Sequence, residues 1–257
     1  MLSFIKFIAR KLLAVDRIRN FFCFLRAFYF CKIKNQMKNF EEITEDTWKH
    51  TLDSNKRAVY NKDISLPKHP RANRIFDIGK SLDGSKSKWL IEGIKQKYKK
   101  SEFKNLKILS IGPRSEGEIY TIFANGFELK NITGLDLFSY SPLIKLGDMH
   151  HLDFNDQEFD IVLMGWCLAY SNNKKKVLSE VKRVLNKNGS LIIGHSTLDQ
   201  TKDEIIASRG YLIGSPNETI ESLDDLKNLL KKSNFKEFYI KIIEMGNSKR
   251  IIYGATA

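Results

Sequence analysis

Between residues 105 and 257, short apolar runs alternate with amphipathic ones. That alternation restricts the chain to a mostly parallel sheet covered by helices. Residues 107–111 read as a first strand ending at Gly112-Pro113, and 115–125 as a helix stopped by Gly126. Residues 132–137, 144–146, 159–164 and 190–193 read as the next four strands. Residues 174–185 carry Val177, Val181, Val184 and Leu185 at helical spacing, and Asn188-Gly189 reads as their C-cap. Residues 222–232 repeat the pattern with Leu223, Leu226, Leu229 and Leu230 on one face. Residues 237–244 and 250–253 are the last strands. Only a few residues around Gly246-Asn247 join them, too few for a crossover helix, so they form an antiparallel hairpin.

The rest of the chain has a different composition. Residues 1–40 hold nine Lys or Arg against one acid, Asp16, a net charge of +8, together with eight of the 17 Phe. Ile5, Ile8, Leu12 and Val15 share one helical face, with Lys6, Arg10 and Arg17 opposite. Phe21, Phe24, Leu25 and Phe28 form a second apolar stripe, with Arg19 and Arg26 opposite. Basic amphipathic helices of this kind lie in membrane interfaces, so this segment is expected either to bind an anionic membrane surface or to pack on the protein. Residues 41–104 read as a polar cap or linker that ends in a helix at 89–99. Charges interrupt every apolar run well before about 18 residues, so no membrane span and no secretory signal is expected. Three scattered cysteines, Cys23, Cys31 and Cys167, fit a reducing compartment. The expected location is cytoplasmic, with peripheral attachment to the inner face of the membrane through residues 1–40.

Phe159-Asp160-Ile161-Val162-Leu163, Trp166 to Tyr170, Val177 to Leu185 and Asn188 to Ile193 together resemble the fourth strand, following helix and fifth strand of class I S-adenosylmethionine-dependent methyltransferases. The resemblance implies a Rossmann-like α/β domain over 105–257: a seven-stranded, mostly parallel sheet with a C-terminal antiparallel hairpin. The helices of 1–40 extend it at the N-terminus. It also implies S-adenosyl-L-methionine as cofactor.

Ligands of open parallel sheets bind beyond the carboxyl ends of the strands. Gly112, with Pro113, follows the first strand there and lets the backbone approach a ligand. The loop departs from the family pattern: Ser110 stands where an acid is usual, Arg114 where a second Gly is usual, and only Gly117 follows. A glycine-rich phosphate cradle, and with it NAD or nucleotide binding, is not supported. Glu116 or Glu118 could supply the missing carboxylate for the methionine ammonium. Asp136, followed by Leu137, ends the second strand and can accept hydrogen bonds from both ribose hydroxyls. By the resemblance, Asp148 accepts from the adenine amino group, Met149 packs by the ring, and Gly165-Trp166 lies at the methionine end.

A hydroxyl acceptor needs alignment and a base. His195, after the fifth strand, and His151 are the candidates, with His150 a further one. Tyr140, Tyr170 and Tyr211 could line the acceptor pocket. The Asp148, His150, His151 and Asp153 spacing matches no standard metal set. The expected reaction is O-methylation of a glycan, a lipid-linked molecule or another small molecule; the Gly112-Pro113-Arg114 loop leans the reading towards glycans. Nucleic-acid methylation and a non-catalytic binding module are the rival classes, and nucleic acid is disfavoured because the charge is gathered beside a Phe-rich stripe.

Overall fold

The computed structural model describes residues 2–36, 38–39, 84–113, 115–171, 173–200, 204 and 219–257. In these, seven strands form one sheet: β1 (Ile108–Ile111), β2 (Ile132–Asp136), β3 (Ile144–Leu146), β4 (Phe159–Gly165), β5 (Leu185–Leu198), β6 (Lys236–Glu244) and β7 (Ser248–Thr256). Their order is β3-β2-β1-β4-β5-β7-β6. All neighbours are parallel except β5–β7 and β7–β6, the expected closing hairpin. The order reverses between β1 and β4, so the switch point of the sheet lies there.

The period-2 alternation of the strands assigns side chains to two apolar layers. Leu109, Ile111, Val162, Met164, Leu191 and Ile193 pack under helices α5 (Lys174–Val184) and α6 (Leu223–Lys232). Ile108, Ile161, Leu163, Ile192 and Ile252 pack under α3 (Gly84–Lys95) and α4 (Glu116–Ala124). Asn173 caps α5 by accepting from the Lys176 amide at 3.0 Å, and Ser222 with Asp225 makes a capping box on α6.

Two expectations shift. The helix expected at 89–99 runs Gly84–Lys95, because residues beyond Lys95 turn instead of continuing the ladder. Asn188-Gly189 is not the C-cap of α5: that helix stops at Val184, and Leu185 already pairs with Phe159. Asn188, at φ 63°, turns within an irregularity of β5, where the pairing skips from Phe159–Leu185 to Ile161–Ser190.

The N-terminal segment is helical from Leu2 to Ile33, as the sequence suggests: α1 (Leu2–Ala14), α2 (Asp16–Phe28) and one π-helical turn, Tyr29–Ile33. A two-residue strand at Lys38–Asn39 pairs with Phe138–Ser139. Both helices dock over α4 with their basic sides inward. Arg10 donates to the Phe127 carbonyl at 2.9 Å and to Glu128 at 2.8 Å, while Arg19 is fully buried and donates to the Leu13 carbonyl at 3.0 Å. Most of the cap expected at 41–104 lies outside the described residues.

Candidate functional site

The carboxyl ends of β1, β2, β3 and β4 bring four expected positions together. Gly112 leaves β1 with φ +73°, a conformation that glycine alone adopts without cost, and its amide donates to the Leu135 carbonyl at 2.8 Å. A Cβ at Gly112 would stand 2.7 Å from Cβ of Cys167, whose thiol donates to the Ile111 carbonyl at 3.2 Å. The glycine is therefore required by the packing of its own loop as well as by any close ligand. Pro113 is buried beside it.

The two acids that follow the loop separate. Glu116 is fully buried, and Arg26 of α2 holds it in a fork at 2.6 and 2.8 Å; Ser141 donates to the same carboxylate. Its backbone amide donates to the Tyr140 hydroxyl at 3.2 Å. The geometry thus withdraws Glu116 from the cofactor site, because its oxygens are already bound from the other side of α4. It also withdraws buried Tyr140 from an acceptor pocket. Glu118, one half-turn on, lies at the switch point. Ser110 donates to one of its oxygens and Ser87 to the other at 3.2 Å, and the space a Gly165 Cβ would fill is 3.5 Å away. Ser110 therefore seats a carboxylate beside β1. Burial raises the Glu118 pKa above the usual carboxylate value, against the lowering pull of the two serines.

Asp136 ends β2 half-buried, with Leu137 half-buried after it. Asp148 is buried after β3 and accepts from the His150 amide at 2.9 Å and its ring at 2.6 Å. The other ring nitrogen of His150, Nε2, lies in hydrogen-bond contact with the Ser171 hydroxyl at 2.8 Å. This chain of bonds fixes the loop that carries Met149, which packs against the adjoining apolar layer.

Trp166, after Gly165, has φ +62°, a strained value for a bulky residue. Its indole donates to Ser196 at 2.8 Å, and its ring fills the space a Gly194 side chain would need. Trp89 lies 6.1 Å from it and the Lys86 ammonium 4.9 Å over it. The ring is thus a packed aromatic at the rim of the site.

His195 is buried, and its Nε2 donates to the Ile220 carbonyl at 2.9 Å. Burial lowers its pKa, with a smaller push from Lys174. His151 is exposed and bridges to Asp148 through its backbone. Tyr170 is half-buried on the turn after β4; Arg114 and Tyr211 lie outside the described residues. Sequence reasoning missed Arg26, Ser87 and Ser141 as partners of the two acids. The one signal available was Ser110 itself, since a missing acid calls for another acid and a donor to hold it.

The methyltransferase domain family matches over residues 109–193, the stretch that holds β1 through most of β5. An uncharacterized protein of Methanocaldococcus jannaschii is 46% identical over 99 residues, which cover 34% of this chain and 47% of that protein. The demethylmenaquinone methyltransferase of Thermotoga maritima is 27% identical over 150 residues, covering 54% of this chain and 61% of that enzyme. The chain thus spans about half the length of these curated relatives. In fold, it superposes on the MccD protein with a TM-score of 0.52 at 15% identity, covering 66% of this chain and 96% of that one. It superposes on an S-adenosylmethionine-dependent methyltransferase from Mesorhizobium loti at 0.50 and 13% identity, covering 61% and 93%. The strand order is that of the class I S-adenosylmethionine-dependent methyltransferase fold, and residues 109–193, a third of the chain, match the methyltransferase domain family.

Proposed function

We propose that this chain transfers a methyl group from S-adenosylmethionine to the hydroxyl of a small molecule, a glycan or a lipid-linked acceptor among them. The observation that carries the reading is the placement of Glu118 in the first turn of α4 beside Ser110 of β1, with Asp136 at the end of β2 and Asp148 just after β3. Glu118 faces the methionine ammonium, Asp136 the ribose hydroxyls, and Asp148, braced by His150, the adenine amino group. The cofactor supplies an electrophilic methyl on a sulfonium. The protein's task is then to align an acceptor oxygen in line with it and to remove the proton.

Titration calorimetry with S-adenosylmethionine and its demethylated product tests the reading. Asp136→Ala is expected to weaken both by about 10- to 150-fold, the loss of charged hydrogen bonds of roughly 1.5–3 kcal/mol. Unchanged affinity in a folded variant removes the ribose assignment, and no binding by the native chain removes the whole reading.

For the acceptor proton we keep His195. Its lowered pKa leaves the imidazole neutral near pH 7, and with the Nε2 proton committed to Ile220, Nδ1 holds the lone pair a base needs. His195→Ala is expected to slow turnover on a hydroxyl acceptor about 10²–10⁴-fold while cofactor affinity stays within a few fold. Near-native turnover passes the role to exposed His151.

A further inference from the structure

In a globular protein an amphipathic helix turns its apolar face to the core. Helices α1 and α2 do the reverse. Arg10, Arg19 and Arg26 point inward and end on Glu128, the Leu13 carbonyl and Glu116. Phe4, Phe7, Phe21 and Ile33 stand outward, each more than half exposed at 64%, 57%, 64% and 63%, and Leu25 and Phe28 lie between them. Small inward residues, Ala9, Cys23 and Ala27, let both helices sit close on the domain, with Leu13 buried beside them and Phe22 edge-on against Tyr120 as the large apolar side chains that face it. The outward surface is therefore rich in large apolar side chains, well beyond the scattered exposed apolar residues of ordinary surfaces.

Charge selects what covers it. Lys11, Arg17, Lys32 and Lys34 are exposed around this face, and Asp16, already bound by Arg19 and Lys88, is the one acid of the first 40 residues. A second copy of the chain would bring cations against cations. An anionic lipid surface accepts both the aromatic side chains and the lysine rim. Among the described residues no helix is long and apolar enough to cross a membrane, so the contact is one of lying on the surface.

We infer that the outward face of α1 and α2 is a docking surface for an anionic membrane interface, held by aromatic insertion more than by charge. The inference does not depend on the methyl-transfer reading. Because Arg10, Arg19 and Arg26 are engaged within the protein, Lys11, Arg17, Lys32 and Lys34 are left for lipid, and salt should release only part of the bound protein.

The full chain is to be sedimented with vesicles of phosphatidylcholine mixed with phosphatidylglycerol, at low and high salt, beside a Phe7→Ser/Phe21→Ser/Phe28→Ser variant and a Phe21→Ser variant. The native chain is expected to pellet and to stay partly bound in high salt. The triple variant is expected to partition more than roughly 100-fold less, since buried aromatic area is lost. All three side chains are exposed, so its thermal midpoint and cofactor affinity should match the native chain; if the triple variant does not fold, Phe21→Ser reads the same loss at smaller scale. A native chain left in the supernatant overturns the inference, as do variants that pellet like it. A dimer in vesicle-free ultracentrifugation that these substitutions dissolve, with no vesicle binding, assigns the face to a second copy instead.

Discussion

Arg26→Ala is expected to lower the thermal midpoint by about 6–20 °C, the largest effect of any single substitution in the N-terminal arm. The guanidinium is the only cation bonded to Glu116 among the described residues, and that carboxylate has no exposure to water. Removing one partner of a buried pair costs about 3–5 kcal/mol, because the remaining charge is left in a poorly polarisable place. For a chain of this size each kcal/mol moves the midpoint by roughly 2–4 °C. Phe22, Phe30 and Tyr120 also lose the cation that lies 5.0–5.8 Å over their rings. Adding Glu116→Gln to Arg26→Ala should recover much of the loss, since a neutral amide is cheaper to leave unpaired. Arg26→Lys should fall between, keeping the charge without the fork. Scanning calorimetry decides: a midpoint unchanged in Arg26→Ala means the pair does not hold the arm to α4.

Glu118→Ala is expected to weaken S-adenosylmethionine by about 30- to several thousand-fold, the range of roughly 2–5 kcal/mol for deleting one member of a desolvated charge pair. The pH dependence gives an independent check. Burial raises the folded pKa of Glu118 above its ordinary value of 4.5, so the folded protein holds this proton more tightly than the unfolded chain. The contribution to stability of the ligand-free protein is full below about pH 4.5 and is lost as pH rises through the folded pKa. Cofactor affinity should run the opposite way over the same window, since the ammonium needs the ionised form. Glu118→Gln should flatten both slopes. Urea titrations and calorimetry at several pH values measure the two; parallel slopes in native and Gln proteins would exclude Glu118 as the titrating group.

Much of the α/β domain could be read along the chain, because its signals are local. Strands such as 108–111 and 159–165 are apolar on both faces, as only central parallel strands are, and the helices between them carry their leucines and valines at one spacing. The short link at Gly246-Asn247 allowed nothing but a hairpin. The positions of Gly112, Asp136 and Asp148 followed as well, since each directly follows a recognisable strand. The choice between Glu116 and Glu118 was not readable. Both lie in the first turn of α4, and the partners that separate them come mostly from other elements: Arg26 and Ser141 for one, Ser87 and nearby Ser110 for the other.

The N-terminal arm divides the same way. Its helicity, its charge and its segregation into basic and apolar sides were determined by the sequence alone, because all three depend only on spacing and composition. Which side faces the protein was decided by the tertiary structure. Glu116 and Glu128, on and beyond α4, need cations, and a carboxylate removed from water draws in an arginine more strongly than a surface phenylalanine gains from a contact it can also make elsewhere. Most of the large apolar side chains were therefore left outward by the folding of the rest of the molecule, a result that no periodicity within residues 1–40 contains.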